Sequence, residues 1–399
     1  MQRIVILGAG FAGLWAAAGA ARALDALGIG PDRVEVTLVN RDAWHGIRVR
    51  NYEADLDAIR VPLATVLDPI GVRLVEGEVE DIDLAQRSVR CMVSGVATAL
   101  PYDRLVFALG SGLARPPLPG LAEHGFDIDT FAGARRLADH LAGLGGRPAS
   151  PGRDTVLIVG AGLTGIEAAT EMVDRIGKTG RVILADHAPQ VGSDMGDSAR
   201  PVIQAALAAL GVETRMGVSV AAVAADGATL STGEVIPAAT VIWCAGMRAS
   251  PLTTQFPVER DRLGRLPVDP TLKIIGLEAE FAVGDSARAM VDDSHASVMS
   301  CQHSRPMGRF GGHNAVADLL GQPLLPLRIE WYTTILDLGS WGAVYTEGWD
   351  RQVAAQGAAA KQTKQIINRQ RIYPPLTGDR RAILDAAAPV VQAPPQRFR

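Results

Sequence analysis

The chain opens on an unbroken apolar run, Ile4-Val5-Ile6-Leu7, without the alternation of a half-exposed strand. Such a run marks a strand buried on both faces, as in a parallel sheet covered by helices. A Gly-rich turn follows, then an Ala-rich stretch that predicts a helix from near Gly13 to just before Gly28-Ile29-Gly30-Pro31. Residues 34–39 predict the next parallel strand. The same succession recurs mid-chain, with Val156-Leu157-Ile158-Val159, a second Gly-rich turn, a helix and a strand at 182–185. Further strands are expected at 72–75, 88–90 and 105–109, in short pieces between 212 and 243, and as a strand and turn at 281–285. Residues 131–144 predict a helix, 329–346 a hairpin around Asp337-Leu338-Gly339-Ser340, and 354–370 a last helix. Residues 115–120 and 145–152 read as linkers. The Ala/Pro-rich tail from 386 is expected to be disordered.

The two turns are Gly8-Ala9-Gly10-Phe11-Ala12-Gly13 and Gly160-Ala161-Gly162-Leu163-Thr164-Gly165. Each stands between an apolar strand and a helix, the context in which this spacing binds a dinucleotide. The first glycine makes the turn. The second lets the backbone approach a pyrophosphate, and the third lets helix and strand pack closely. Two such units imply two dinucleotides and hydride transfer between them. An acidic residue at the end of the second strand grips the adenosine ribose in this binding mode. Asp186 takes that place in the second unit, 21 positions after Gly165. Its charge repels a 2′-phosphate, so NADH is favoured over NADPH. In the first unit the place is held by Asn40, followed by Arg41; Asn40 either binds ribose more weakly or simply caps the strand end.

At 399 residues the chain suggests two or three domains, and 48% hydrophobic residues suffice for a large core. With 39 basic and 43 acidic side chains, no basic surface points to nucleic acid. The N-terminus lacks a signal-peptide pattern, and no apolar window of about 18 residues predicts a spanning helix. Cys91, Cys244 and Cys301 are far apart and odd in number, which suits a reducing cytoplasm and provides no redox-active pair.

Several stretches in order carry a family resemblance. They are 5–13, 36–41 with Trp44-His45, 102–111, 159–168, Trp243-Cys244-Ala245-Gly246-Met247-Arg248-Ala249-Ser250-Pro251 and Ala282-Val283-Gly284-Asp285. Over about residues 1–325 the chain resembles the flavoproteins with two dinucleotide-binding domains and, among them, type II NADH dehydrogenases (NADH:quinone oxidoreductases). The fold class is therefore α/β. Two Rossmann-like FAD/NAD(P)-binding domains are expected, the second inserted in the first, plus a small C-terminal region. The expected division is 1–112 and 248–325 for FAD, 113–247 for NAD(H), 326–385 for a hairpin and helix region, and 386–399 for the tail.

The resemblance implies FAD at Gly8, Gly10, Phe11, Ala12 and Gly13, with Asn40, Arg41, Val79, Ala108, Gly110, Asp285 and Cys301 around it. Arg48 either faces a phosphate or is a surface arginine. NADH is implied at Gly160, Gly162, Leu163, Thr164, Gly165, Asp186 and Gly246. Two residues are expected nearest the chemistry. Glu167 sits on the first turn of the second helix; it either stabilises the helix dipole or orients the nicotinamide and assists proton delivery. Gln302 follows Cys301 where the family has an Ala-Gln pair, and would contact the flavin's pyrimidine edge or the acceptor. His303 and Arg305 depart from the apolar residues usual there, which suggests a more polar acceptor than a lipid-tailed quinone. His295, Cys301, His303 and His313 fit no common zinc spacing, and no metal is assigned. The helix at 354–370 lacks an aromatic anchor, so Lys361, Lys364 and Arg369 are read as a solvated face with at most weak membrane contact.

These readings converge on a cytoplasmic FAD-dependent oxidoreductase. It takes a hydride from NADH and reduces a quinone or other small aromatic acceptor, with no nucleic-acid partner and a homodimer as a compatible assembly. A reductase of a ferredoxin- or rubredoxin-type carrier, and a redox sensor like relatives of apoptosis-inducing factor, remain the alternatives.

Overall fold

The computed structural model describes residues 1–177 and 179–397. Its apolar runs become the centres of two five-stranded sheets. The first has the order Glu280–Ala282, Arg104–Phe107, Gln2–Leu7, Val34–Asn40, Arg73–Glu76, every neighbour parallel. The second has the order Gly125–Phe126, Thr240–Trp243, Thr155–Val159, Arg181–Asp186, Glu213–Met216, again parallel throughout. In both, the strand that feeds the Gly-rich turn is central. Parallel neighbours need crossover connections, which place helices on the faces and bury both sides of the strands. Ile4, Ile6, Leu7, Leu157 and Ile158 are accordingly inaccessible.

Helix α1 (Phe11–Ala26) covers the first sheet and α2 (Leu163–Ile176) the second. Helix α3 (Cys301–Leu319) lies directly on α1. Glycines make that contact possible. A Cβ on Gly308 would stand 2.2 Å from the Ala12 carbonyl oxygen, and one on Gly312 1.9 Å from that of Ala16. The two chain crossings between the sheets pair with each other, Ser111–Leu113 antiparallel to Met247–Ala249. Glu280–Ala282 then returns to the first sheet.

The C-terminal region departs from its expected form in three ways. Residues 333–337 and 343–347 form the expected hairpin, but Gln352–Gln356 adds a third antiparallel strand. The last long helix therefore starts later, as α4 (Gly357–Ile366), and runs into a wider turn at Ile367–Arg371. Small alanines at 354–355 pack equally well on a sheet, so composition alone did not separate the two. Lys364 is also not on a solvated face: it is buried against α2. Finally, the tail expected to be disordered is laid along the body through residue 397, with residues 398–399 outside the described part. Ala387 is fully buried and Val391 packs on the main core, which holds it there. Helix Gly196–Ala209 was not anticipated from the sequence. Among the described residues, no helix is long and apolar enough to cross a membrane.

Candidate active site

The two Gly-rich turns open into one cavity of about 1480 Å³. Of the residues singled out in the sequence as site candidates, all line it except Gly13 and Gly165. Those two are the packing glycines. A Cβ on either would come within 1.7 Å of a carbonyl oxygen, that of Gly8 or Gly160. The first glycines, Gly8 and Gly160, have φ of +92° and +108°, which favours a residue without a Cβ. The middle glycines, Gly10 and Gly162, face open space within the cavity and serve as N-caps that carry no capping side chain. The first N–H groups of α1 and α2 therefore have no side-chain acceptor at the cap, and a phosphate is a suitable one.

The strand-end residues hold these turns in the same way. Asn40 Oδ1 accepts from the Ala9 N–H at 3.0 Å, and Asp186 Oδ2 from the Ala161 N–H at 2.5 Å. The Asn40 amide also donates to the Asp42 carbonyl at 2.8 Å. Asn40 is thus engaged on both sides, closer to the strand-end reading than to a free ribose ligand. Asp186 Oδ1 accepts from the Ala188 N–H at 2.7 Å, which leaves its negative charge at the cavity edge. Below the first turn, His45 is wholly buried and its Nδ1–H donates to the Ala9 carbonyl at 2.8 Å. Burial pushes its pKa down to about 4. Sequence reasoning did not single out this role; Trp44-His45 entered only as part of a matching stretch.

On the far wall, Asp285 accepts from Ser111 Oγ at 2.6 Å and from Ser304 Oγ at 3.2 Å. Arg48 lines the cavity and is not a plain surface arginine. It is paired with Asp129 and donates to the Ser111 carbonyl at 2.9 Å. Arg41, Val79, Ala108, Gly110 and Gly246 lie along the same wall system. The start of α3 brings Cys301 and Gln302 to the cavity. Gln302 Oε1 accepts from Thr333 Oγ1 at 3.3 Å, so its amide is tied to the C-terminal sheet. Burial raises the Cys301 thiol, which keeps it protonated. His303 points away: its Nδ1 accepts from the Val298 N–H at 2.9 Å, and burial lowers it to about 4.

Glu167 lines the cavity as the centre of a buried charged network. Its Oε1 accepts from Lys364 Nζ at 2.7 Å and from the Asp337 N–H at 3.1 Å. Lys361 pairs with Asp337, and the Tyr52 hydroxyl donates to Asp337 Oδ2 at 3.3 Å. Burial lifts the Glu167 carboxyl above the ordinary carboxylate range, with Lys364 opposing. Burial alone would lower Lys364, but Glu167 and Asp337 outweigh it and keep the ammonium charged. Glu167 is not on the first turn of α2 as expected: the helix begins at Leu163, so the carboxylate lies beyond its first turn and is held by a partner from α4. The sequence tied none of Lys361, Lys364, Asp337 and Tyr52 to Glu167, because nothing in their spacing relates them to it.

Comparison with known proteins identifies the family and the fold. The family model described as pyridine nucleotide-disulphide oxidoreductase matches residues 2–308. An NADH dehydrogenase-like protein of Mycobacterium tuberculosis is 59% identical over 403 aligned positions, spanning 99% of this chain and 100% of that protein. A demethylphylloquinone reductase of Synechocystis is 30% identical, spanning 92% of this chain and 91% of that protein. The solved structure of NDH2 from Plasmodium falciparum in complex with NADH superposes with a TM-score of 0.77 over 96% of this chain and 97% of that one. At 13% identity, it shows the shared fold alone.

Proposed function

The chain belongs to the pyridine nucleotide-disulphide oxidoreductase family and is an oxidoreductase; from that premise we propose that it oxidises NADH and reduces a quinone-type acceptor by way of bound FAD. The single observation that carries this reading is the shared cavity, which both Gly-rich turns enter and which Asp186 and Asp285 both line. The residues present fit both dinucleotides. The space over Gly10 and Gly162 is open, and the adjacent helix N-termini suit pyrophosphates. FAD would be held at the N-terminal turn, with Asp285 and its two serine donors available to its ribityl or pyrophosphate region. NADH belongs to the central turn, with Asp186 on the ribose.

The net reaction is NADH + H⁺ + quinone → NAD⁺ + hydroquinone. A flavin held at the N-terminal turn would supply the hydride-accepting and electron-donating chemistry that links the two substrates. The protein's part is positioning and proton supply. Glu167, fixed by Lys364, orients the nicotinamide. Gln302, fixed by Thr333, contacts the flavin edge or the acceptor. The charge of Asp186 at the cavity edge supports NADH over NADPH.

The test is anaerobic titration of the purified protein with NADH and NADPH, followed by acceptor addition. FAD should be extractable at one per chain, bleach faster with NADH and recover its colour with a quinone. Asp186→Ala should narrow the NADH preference. A colourless protein, or faster reduction by NADPH, would overturn the assignment.

A further inference from the structure

Arg305 and Arg309 lie on α3, one and two turns beyond Cys301, and both line the cavity. They are 7% and 1% exposed. Among the described residues neither has a carboxylate partner. Arg305 Nε, Arg309 Nε and an Arg309 terminal nitrogen are buried with no hydrogen-bond acceptor. The Trp15 ring lies 5.2 Å and 4.3 Å from the two guanidinium carbons. That face softens the charges but satisfies no N–H. Arg371, at the end of the turn that follows α4, reaches the same arm of the cavity.

Three cations facing one another without an anion are costly. Burial pushes Arg305 down to about 10 and Arg309 to about 9, with Arg371 repelling both. Buried charge normally comes with a partner that also satisfies its hydrogen bonds. Here the partial substitutes are carbonyls of the tail. Arg309 donates to the Val390 carbonyl at 3.5 Å, and Arg371 to that of Ala393. Beside the cations the arm is apolar: Phe11, Ile367 and Ile372 pack together with Cys301. One wall thus suits a flat ring, and the end beyond it suits a negative group.

We propose that this arm binds the electron acceptor, and that the acceptor is an anion: a quinone-type ring bearing a carboxylate, whose acidic group is received by Arg305 and Arg309 with Arg371 behind them. This rests on the NADH:quinone reading above and adds to it the charge of the substrate. Planar guanidinium forks bind carboxylates in paired hydrogen bonds, which would fill the unpaired N–H groups. The turn at Gly8–Gly13 offers a pyrophosphate its own backbone N–H groups at the start of α1, so the arginines are not required for it.

The test compares two acceptors of matched ring potential, a 1,4-naphthoquinone with a propanoate side chain at C2 and its uncharged propanamide. Reduction by NADH is first followed anaerobically by flavin bleaching, which checks the underlying function on its own. Reoxidation by each quinone is then followed by stopped flow. Wild type should favour the propanoate by about tenfold or more in kcat/KM, in line with a charge-assisted contact. Arg305→Gln and Arg309→Gln should bring that ratio to within about twofold, while Arg305→Lys should retain part of it. The ratio is measured within each variant, so changes in total active protein cancel. If wild type bleaches with NADH but reduces both quinones equally, the anion proposal falls and the NADH reading stands. If Arg305→Gln and Arg309→Gln keep the wild-type ratio, or lose FAD while Arg305→Lys also does, the arginines serve another purpose and the proposal falls.

Discussion

At the residue scale, Glu167 shows what a sequence can and cannot disclose. Its place two residues after Gly165 was legible, because the Gly-rich turn fixes where α2 begins. Its partner Lys364, 197 positions later, was not. Coupling at that distance is made by folding, and no local spacing encodes it. The pair makes a definite prediction. Both side chains are under a tenth exposed, so removing one charge strands the other in a medium that solvates it poorly. Glu167→Gln and Lys364→Met should each destabilise the protein by about 3–5 kcal/mol, whereas the double variant should recover most of the loss. Urea unfolding of the four proteins measures this, and additive losses would show that the pair is not coupled. The histidines give a second prediction. Burial holds His45 and His303 near 4, below their ordinary 6.5. The folded state therefore binds fewer protons than the unfolded chain between those values. The stability they contribute is fully present above pH 6.5 and is lost as pH falls through 4, by about 3 kcal/mol for each. The melting temperature should drop over that window, and His303→Asn should flatten the profile. A slope unchanged by that substitution would count against a neutral buried His303.

At the element scale, both strand–turn–helix units were legible because their apolar runs cannot be half-exposed and their glycines fall at fixed offsets. The elements misread were those whose composition suits two structures, as with Ala354-Ala355. The α1–α3 contact was readable in principle: Gly308 and Gly312 are four apart, on one face of a helix. The glycines of the first turn predict separable losses. A Cβ on Gly13 would stand 1.7 Å from the Gly8 carbonyl oxygen, so Gly13→Ala must push α1 off its strand. That variant should lose several kcal/mol of stability, of the size seen for overpacking, whether or not cofactor is bound. A Cβ on Gly10 meets nothing within 4 Å, and its backbone at φ −68° accepts any residue. Gly10→Val should therefore fold with a near-normal melting temperature without cofactor, yet retain little flavin after gel filtration. Equal flavin retention by Gly10→Val and wild type would mean that nothing approaches that turn closely.

At the scale of the whole molecule, the function reads as one cavity shared by two sheets and closed by the C-terminal region. The C-terminal sheet fixes Gln302 of α3 through Thr333 and Glu167 of α2 through Asp337. The tail completes the enclosure. Trp331 Nε1 donates to the Gln392 carbonyl at 3.1 Å, next to the bonds from Arg309 and Arg371. Low sequence complexity made this segment look structureless, because carbonyl acceptors belong to every residue and leave no mark on composition. An acceptor anion entering the arginine arm must displace these carbonyls, so the tail competes with it. Truncation after Ala387 keeps that buried anchor and removes the competitor. Each displaced bond of this kind is worth about 1 kcal/mol net, so KM for the propanoate quinone should fall by roughly fivefold or more. The KM for the propanamide should change less, since it lacks the charge that the carbonyls were replacing. Reduction by NADH should keep its rate, because among the described residues the tail bonds to Arg309, Trp331, Arg371 and Glu347 rather than to the central turn or Asp186. A truncated protein with equal gains for both quinones would show that the tail only obstructs the mouth. A rise in KM for the propanoate would show instead that the tail carbonyls or Val391 help to hold the acceptor.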